Sequence, residues 1–471
     1  MTRQIPASVA AFALTVADRK RLAIDRPHNE AFSNRGGGLA LALAPRSEAE
    51  LMAAMSYLAD LPEPFTVHST GHSFAGLSVQ TRTVLTLARL TECTLDKAGI
   101  LYSSGGARVL HANAELAPAN RAISTGTNPW VGLVGLSHGG GAAYTTRLHG
   151  LTCDALIGAR LLTYSGDVLD INEESSPEIL WALRGGGAGA LGVTVQAQFR
   201  TYPTYDVASF SIRLGTPSAD LIARLEEMMI AAPRELAFRV AAVFERDAEA
   251  IELQLSGQHQ HAHYERFTAF LAEWIGHPDH DYLPLRYHHA MAGAAHQSAG
   301  GAYRIIGTPV SASIGVEGYE VLLDALQRRP RSSNPDGAGF NLFSWGGAVA
   351  DMPAEASCFP WRQTEHLMSI DTSWTTDDGT ATIDRQHAWL NDTRQALTGR
   401  LPHTAYVNFP DLGTPGVANS EVASTLNSLF GPNRERLTAL VNHLNPTRAG
   451  ESTFAVFEKA EAACADLKAP A

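Results

Sequence analysis

A histidine at the tip of a glycine loop is the first residue in this chain that invites chemistry. His72 lies in Thr70-Gly71-His72-Ser73-Phe74-Ala75-Gly76, between Gly71 and Ser73, a backbone setting too lean for an ordinary core residue. A lone imidazole is more often a satisfied structural group than a reactive one, so the neighbours decide. Those neighbours are glycines: segments 70–76, 126–141 and 185–192 follow one another within a single region. Glycine permits positive φ and close backbone approach, so such loops can offer N–H groups to a pyrophosphate and lie against a flat ring system. Each loop taken singly reads equally well as a tight turn between short strands. Together the three favour a large nucleotide cofactor.

Gly187-Ala188-Gly189-Ala190-Leu191-Gly192 satisfies G-x-G-x-x-G, the dinucleotide fingerprint, but in the wrong context. A Rossmann loop leaves a strand and opens a helix, whereas 176–184 reads as a helix before the loop and 193–199 as a strand after it. No acidic residue follows about 20 positions on.

Other constellations are weaker. Ser369, Asp371 and Ser373 alternate along a strand and share one face, which would line a wet active site or face solvent. His259, His261 and His263 also alternate, yet they sit at a strand-to-helix junction with no carboxylate cluster, so no metal is expected. His288-His289 receives no role. Trp345 and Trp361 would wall a substrate or simply fill the core.

These groups need a scaffold of several elements, and 471 residues supply it at about 150 residues per domain. Strands are predicted at 38–44, 65–69 and 84–88, with a helix opened by a Ser47/Glu50 capping box. From about 100 to 200, short β-like stretches alternate with glycines. Strands at 207–214, 236–244 and 250–256 mix with helices at 217–231 and 264–275, an α+β pattern. A loop at 329–338 precedes strands at 339–350 and 367–374 and a helix at 380–397. The tail should hold a short strand around Tyr406 and helices at 421–430 and 434–444.

Net charge is −12, which provides no pull toward phosphate backbones or anionic lipid, so neither nucleic acid nor membrane is an expected partner. No run approaches the roughly 18 apolar residues of a membrane span. Cys93, Cys153, Cys358 and Cys464 lie far apart with no C-x-x-C pair, which argues against a disulfide framework or zinc site and for a reducing compartment. Residues 9–17 form an apolar run after Arg3 with a weak basic start, so a cytoplasmic protein is expected, with secretion as the alternative. Oligomeric state is not legible.

Val67-His68-Ser69-Thr70-Gly71-His72-Ser73-Phe74-Ala75-Gly76 resembles V-R-S-G-G-H-S-Y-x-G of the berberine bridge enzyme-like branch of the vanillyl alcohol oxidase type flavoproteins, whose histidine bonds to the 8α carbon of FAD. Gly126-Thr127-Asn128-Pro129-Trp130-Val131-Gly132 with Gly139-Gly140-Gly141 is similar to G-x-C-P-T-V-G…G-G-G, and Gly150-Leu151 with Asp154 to the G-L-x-x-D that follows. Leu180-Trp181-Ala182-Leu183-Arg184-Gly185-Gly186-Gly187 resembles the end of D-L-F-W-A-L-R-G-G-G. Phe359-Pro360-Trp361-Arg362, Tyr406-Val407-Asn408-Phe409 with Asp411, and Phe430-Gly431-Pro432-Asn433 continue the likeness in order along the chain. Only about 205–335 is generic.

The resemblance implies an α+β fold: a PCMH-type two-subdomain FAD-binding domain at 36–205 after a helical lead-in at 1–35, an inserted substrate domain at 206–400 on an antiparallel sheet with helices, and a segment at 401–471 returning to the FAD domain. It implies FAD linked once, through His72, because Asn128 stands where many members carry a second linking cysteine. Ser69, Thr70, Gly71, Ser73, Gly76, Val131, Gly132, Gly135, Leu136, Gly139, Gly141, Gly192, Val193 and Asn408 would complete the cofactor site with Asn128. Thr70 replaces a glycine, His68 an arginine and Ala143 a glycine, so pyrophosphate contacts there would differ. Tyr406 is the implied base, facing the substrate, and Asp371, taken from the polar strand face and not from the resemblance, is the second candidate for base or partner to it; a phenol near pKa 10 needs a neighbouring donor or cation for that task. Valine at 131 matches an oxygen gate of oxidase type. The expected reaction is hydride transfer from an alcohol, amine or similar C–H centre of a small molecule, with molecular oxygen as acceptor. An oxidative cyclase or desaturase, or a flavin-carrying binding or resistance protein, are the alternatives.

Overall fold

Three larger sheets and a two-stranded pair, Arg121–Ala122 with Tyr202–Pro203, organise the computed structural model, which describes residues 5–22, 24, 27–32, 38–244, 251–276, 281–287, 301–334, 337–413 and 425–468. The first is parallel, in the order Leu41–Leu43, Thr83–Thr86, Phe65–His68, Gly450–Glu451. Its last strand comes from the far end of the chain. Helix Glu48–Ala59 covers this sheet, burying Leu51, Met55 and Leu58 with Val9, Phe12 and Phe65. Ser47 caps the helix by accepting from Glu50 N. The Glu50 carboxylate bonds Arg46 N at 2.7 Å, so half of the predicted capping box forms and the other half slips back one residue.

The second sheet is antiparallel, ordered Cys93–Leu95, Ile100–Ser104, Val193–Arg200, Leu156–Leu162, Val168–Asn172. Helix Pro177–Leu183 runs into the glycines and then into strand Val193–Arg200, the helix-to-strand order read from the sequence. The G-x-G-x-x-G run therefore opens no helix.

The third sheet has seven antiparallel strands: Asp281–Arg286, Asp206–Gly215, Ile251–Gln260, Leu236–Phe244, Ala338–Ser344, His366–Trp374 and Ala302–Val310. Period-two alternation divides its central strands. Phe238, Val240, Phe340, Leu342, Met368 and Ile370 pack beneath helices Ala219–Ala231 and Gly315–Gln327. Their odd-numbered neighbours Arg239, Asn341, Phe343 and Ser369 face a cavity on the other side.

Two expected elements differ. The strand predicted over 339–350 stops at Ser344, because Gly346 and Gly347 take positive φ and Arg147 O lies 2.3 Å from where a Gly347 Cβ would be. A helix, Ala348–Asp351, follows that turn. The short strand expected around Tyr406 is instead a turn, with Phe409 N bonding Tyr406 O, docked on the edge strand Ala302–Val310: Tyr406 N donates to Gly307 O at 2.9 Å and Gly307 N to Phe409 O at 3.1 Å. A Cβ on Gly307 would lie 2.6 Å from Phe409 Cβ, so this docking needs glycine. Of the helix expected at 421–430, Leu426–Phe430 is present and 421–424 lie outside the described residues, as does His288-His289.

Candidate functional site

The loop after strand Phe65–His68 and the short helix Leu133–His138 form the floor of two adjoining cavities. The first, about 200 Å³, is lined by Ser69, Thr70, Gly71, Ser73, Gly132 and Gly135 and closed by Ala188, Gly189 and the 451–453 segment. The second, about 350 Å³, lies between Asn128, Tyr144 and the odd-numbered face of the seven-stranded sheet, and reaches Tyr406 and Trp345. His72, Val131, Leu136 and Asn408 line both.

His72 is thus at the junction. Its Nδ1 is buried without a hydrogen-bond partner, and burial, with lesser contributions from His28, Arg108 and His68, lowers its pKa to about 3, so the imidazole is neutral. A neutral imidazole with an uncommitted nitrogen is a nucleophile. Gly71 holds the turn at φ +76, where a Cβ would meet His68 Nε2 at 3.1 Å. Thr70, the residue in place of a family glycine, accepts from Gly132 N at 3.0 Å and so ties the first glycine loop to the second.

Tyr406 is fully buried, its ring edge-on to Trp345 and Phe359. Its phenol oxygen accepts from Gly141 N at 2.8 Å and from Asn408 Nδ2 at 3.1 Å. Burial pushes the phenol above its ordinary value, while these two donors pull it back down. The glycine triplet makes room for this contact. A Cβ on Gly139 would stand 2.1 Å from Asn408 Oδ1, and one on Gly140 3.1 Å from the Tyr406 ring.

Asp371 and Ser369 share the expected face, joined through Asn341 Nδ2, which lies 3.2 Å from both Ser369 Oγ and Asp371 Oδ1. Asn341 Oδ1 in turn accepts from Arg239 Nε at 2.7 Å. Ser369, Arg239 and Asn341 line the second cavity; Asp371 stands behind them. Gly76, Gly139, Gly141, Gly192 and Val193 are not among the lining residues of either cavity. Gly76 caps the turn after the histidine loop at φ +65. Gly192 fits where a Cβ would meet Leu162 O at 2.5 Å, and Val193 is core beneath it. Asn128 spends its side-chain oxygen on Trp130 N.

The histidine triplet is divided: His259 is buried against Phe267 with Nδ1 on Gln260 O, whereas His261 and His263 fall in a turn beyond the strand. Among the described residues no group of three His, Cys, Asp or Glu could hold a metal ion, and no described helix is long and apolar enough to cross a membrane. Trp345 walls the second cavity; Trp361 packs against Gly431.

Sequence reading missed His28, Arg239, Asn341 and the 451–453 segment. Strand parity with Ser369 could have found Asn341 and Arg239. Nothing local marks His28, which arrives from before the first sheet.

Residues 39–172 match the family model of an FAD binding domain. Glucooligosaccharide oxidase of Sarocladium strictum is 32% identical over 167 residues, 35% of this chain and 33% of that protein, so the chain spans about a third of that relative. Xylooligosaccharide oxidase of Thermothelomyces thermophilus is 25% identical over 438 residues, 86% of this chain and 84% of that one. Berberine bridge enzyme from Eschscholzia californica shares the fold at a TM-score of 0.82 and 18% identity, covering 96% of this chain and 98% of that chain. A chitooligosaccharide oxidase structure does so at 0.79 and 18%, covering 94% and 97%. Residues 39–172 thus carry an FAD binding domain by sequence, and the chain as a whole shares its fold with berberine bridge enzyme.

The residues present fit FAD. Gly135 has nothing within 4 Å of where its Cβ would be, so a side chain there would enter the first cavity. The orphaned Nδ1 of His72 is the second point of fit.

Proposed function

We propose that this protein is an FAD-dependent oxidase that holds FAD through one histidyl link at His72 and oxidises a hydroxyl-bearing carbon of a small carbohydrate or similar polyol, giving hydrogen peroxide. The observation that carries the reading is the Tyr406 phenol oxygen, held by two N–H donors on the cavity that His72 also lines. Bound FAD supplies the hydride acceptor. His72, with its unpartnered Nδ1 at the junction of the two cavities, would be the residue that holds the group covalently, with dioxygen as the oxidant for attachment.

Tyr406, in its phenolate form, takes the proton of the substrate hydroxyl as the C–H bond breaks. Gly141 N and Asn408 Nδ2 lower the cost of the phenolate in a buried setting. Arg239, Asn341 and Ser369 orient the substrate from the sheet face, with Asp371 behind them as a positioning group. Aromatic rings of Trp345, Phe409 and Phe74 exclude water and give a sugar ring flat surfaces. Val131, lining both cavities beside His72, supports oxygen as the acceptor. The volume of about 350 Å³ favours a one- or two-ring substrate, and the oligosaccharide oxidases among the relatives point to carbohydrate. Residues 206–400 are the substrate-facing unit in this reading, and 401–471 bring the base to the cofactor.

A panel of aldoses, disaccharides, primary alcohols and amines, mixed anaerobically with the protein, tests this directly. Bleaching of the flavin by an aldose or disaccharide, followed by peroxide on admitting air, is expected. Bleaching by amines alone would overturn the substrate class.

A further inference from the structure

The second histidine at the junction, His28, belongs to no motif. Its ring stacks on His72 with centroids 4.3 Å apart and an interplanar angle of 22°, and it lines the second cavity beside His72. The segment that carries it is fastened at three points. His28 N donates to Gly71 O at 2.9 Å and Glu30 N to Gly301 O at 3.0 Å. Asn29, fully buried, donates from Nδ2 to Phe74 O at 2.6 Å and Tyr303 O at 2.8 Å, and accepts from Tyr303 N at 3.2 Å. The fit against the histidine loop is close: a Cβ on Gly71 would lie 3.6 Å from Pro27 Cα. A stretch of chain outside the matched FAD binding domain therefore bridges the histidine loop and the edge strand of the seven-stranded sheet.

We infer that His28 is a positioning residue for cofactor attachment: its flat ring, stacked on His72, holds that imidazole in one orientation with Nδ1 uncommitted. The inference rests on the histidyl link proposed above. The parallel rings decide how His28 acts. At 22° the two imidazoles meet face to face, so the contact restrains the ring plane of His72 and does not pass a proton between them. An attacking nitrogen held in one plane is worth far more than one that rotates. Burial lowers the pKa of both rings, which suits two neutral groups at this spacing.

The test is the rate at which flavin becomes acid-stable when FAD and air are added to apoprotein from riboflavin-starved cells. Wild type, His28→Phe, His28→Leu and His72→Ala are compared, with bound flavin read by absorbance before acid and folding by circular dichroism. His28→Leu keeps the bulk and loses the flat ring. It should bind FAD yet attach it about 10-fold more slowly or worse, whereas His28→Phe, which can still stack, should stay within about threefold of wild type. Attachment by His28→Leu at the wild-type rate, or by His28→Phe as slowly as His28→Leu, overturns the stacking role while leaving the link intact. Flavin released by acid from wild type, or retained by His72→Ala, overturns the link itself and this inference with it.

Discussion

Tyr406 concentrates the site's electrostatics in one oxygen. Burial holds the phenol protonated well past its ordinary range, and the Asn408 and Gly141 donors work against that. With Tyr406 as the proposed base, alkaline pH favours proton acceptance, and flavin reduction by substrate should rise with pH toward the alkaline limit of the folded protein. Replacing Asn408 with Ala removes one donor and should move that limb to higher pH, as stopped-flow traces across a pH series would record. Tyr406→Phe should slow anaerobic flavin reduction by about 10²- to 10⁴-fold with FAD content unchanged. An unchanged rate would remove Tyr406 from the mechanism. Both residues belong to a Y-x-N spacing legible in the sequence. What the spacing could not show is that the second donor is a backbone N–H 265 positions away.

At the scale of elements, two dockings make the site. The glycine triplet after helix Leu133–His138 receives the Tyr406–Asn408 turn, and the turn hangs on Gly307 of the sheet edge. Gly139→Ala would place a Cβ inside Asn408, so the amide must leave Tyr406; flavin reduction should fall by about 10-fold or more, with stability lowered by about 1–3 kcal/mol, read by stopped flow and by thermal melts. The same turn is anchored by Asp411, whose carboxylate takes both Nε and Nη2 of Arg304 at 2.8 and 2.7 Å, out of water. Arg304→Met strands a buried carboxylate and should cost about 3–5 kcal/mol, a loss that urea titration would measure. Gly307, Gly139 and Arg304 are each a necessity of packing, and no periodicity announces them. The strand wrongly expected around Tyr406 shows the same limit: β-forming residues pair in ladder or turn according to what edge they meet.

Over the whole molecule, buried neutral histidines link fold to pH. Burial lowers His68 and His138 to about 4 and His366 to about 3. Unfolded, each takes up a proton below about 6.5. The unfolded state thus binds more protons between about 6.5 and 4, and stability falls as pH drops through that window. Melting temperature should decline steadily from pH 7 to 5, and more gently in His366→Gln; a flat profile would contradict the buried neutral state. The chain's path matters too. Strand Gly450–Glu451 completes the first sheet beside Phe65–His68, so the tail that brings Tyr406 to the cavity continues into the layer that holds His72.

Much was settled by the sequence alone: the histidine loop, the glycine clusters, the helix-to-strand order that rejects a Rossmann reading, and the α+β pattern. These are local, written in short runs where residue type and backbone conformation are tightly coupled. The partners were decided by tertiary structure. His28 over His72, Gly139 against Asn408, and Arg239 with Asn341 on the cavity face join residues far apart in the chain, and such contacts follow from which surfaces the fold brings together.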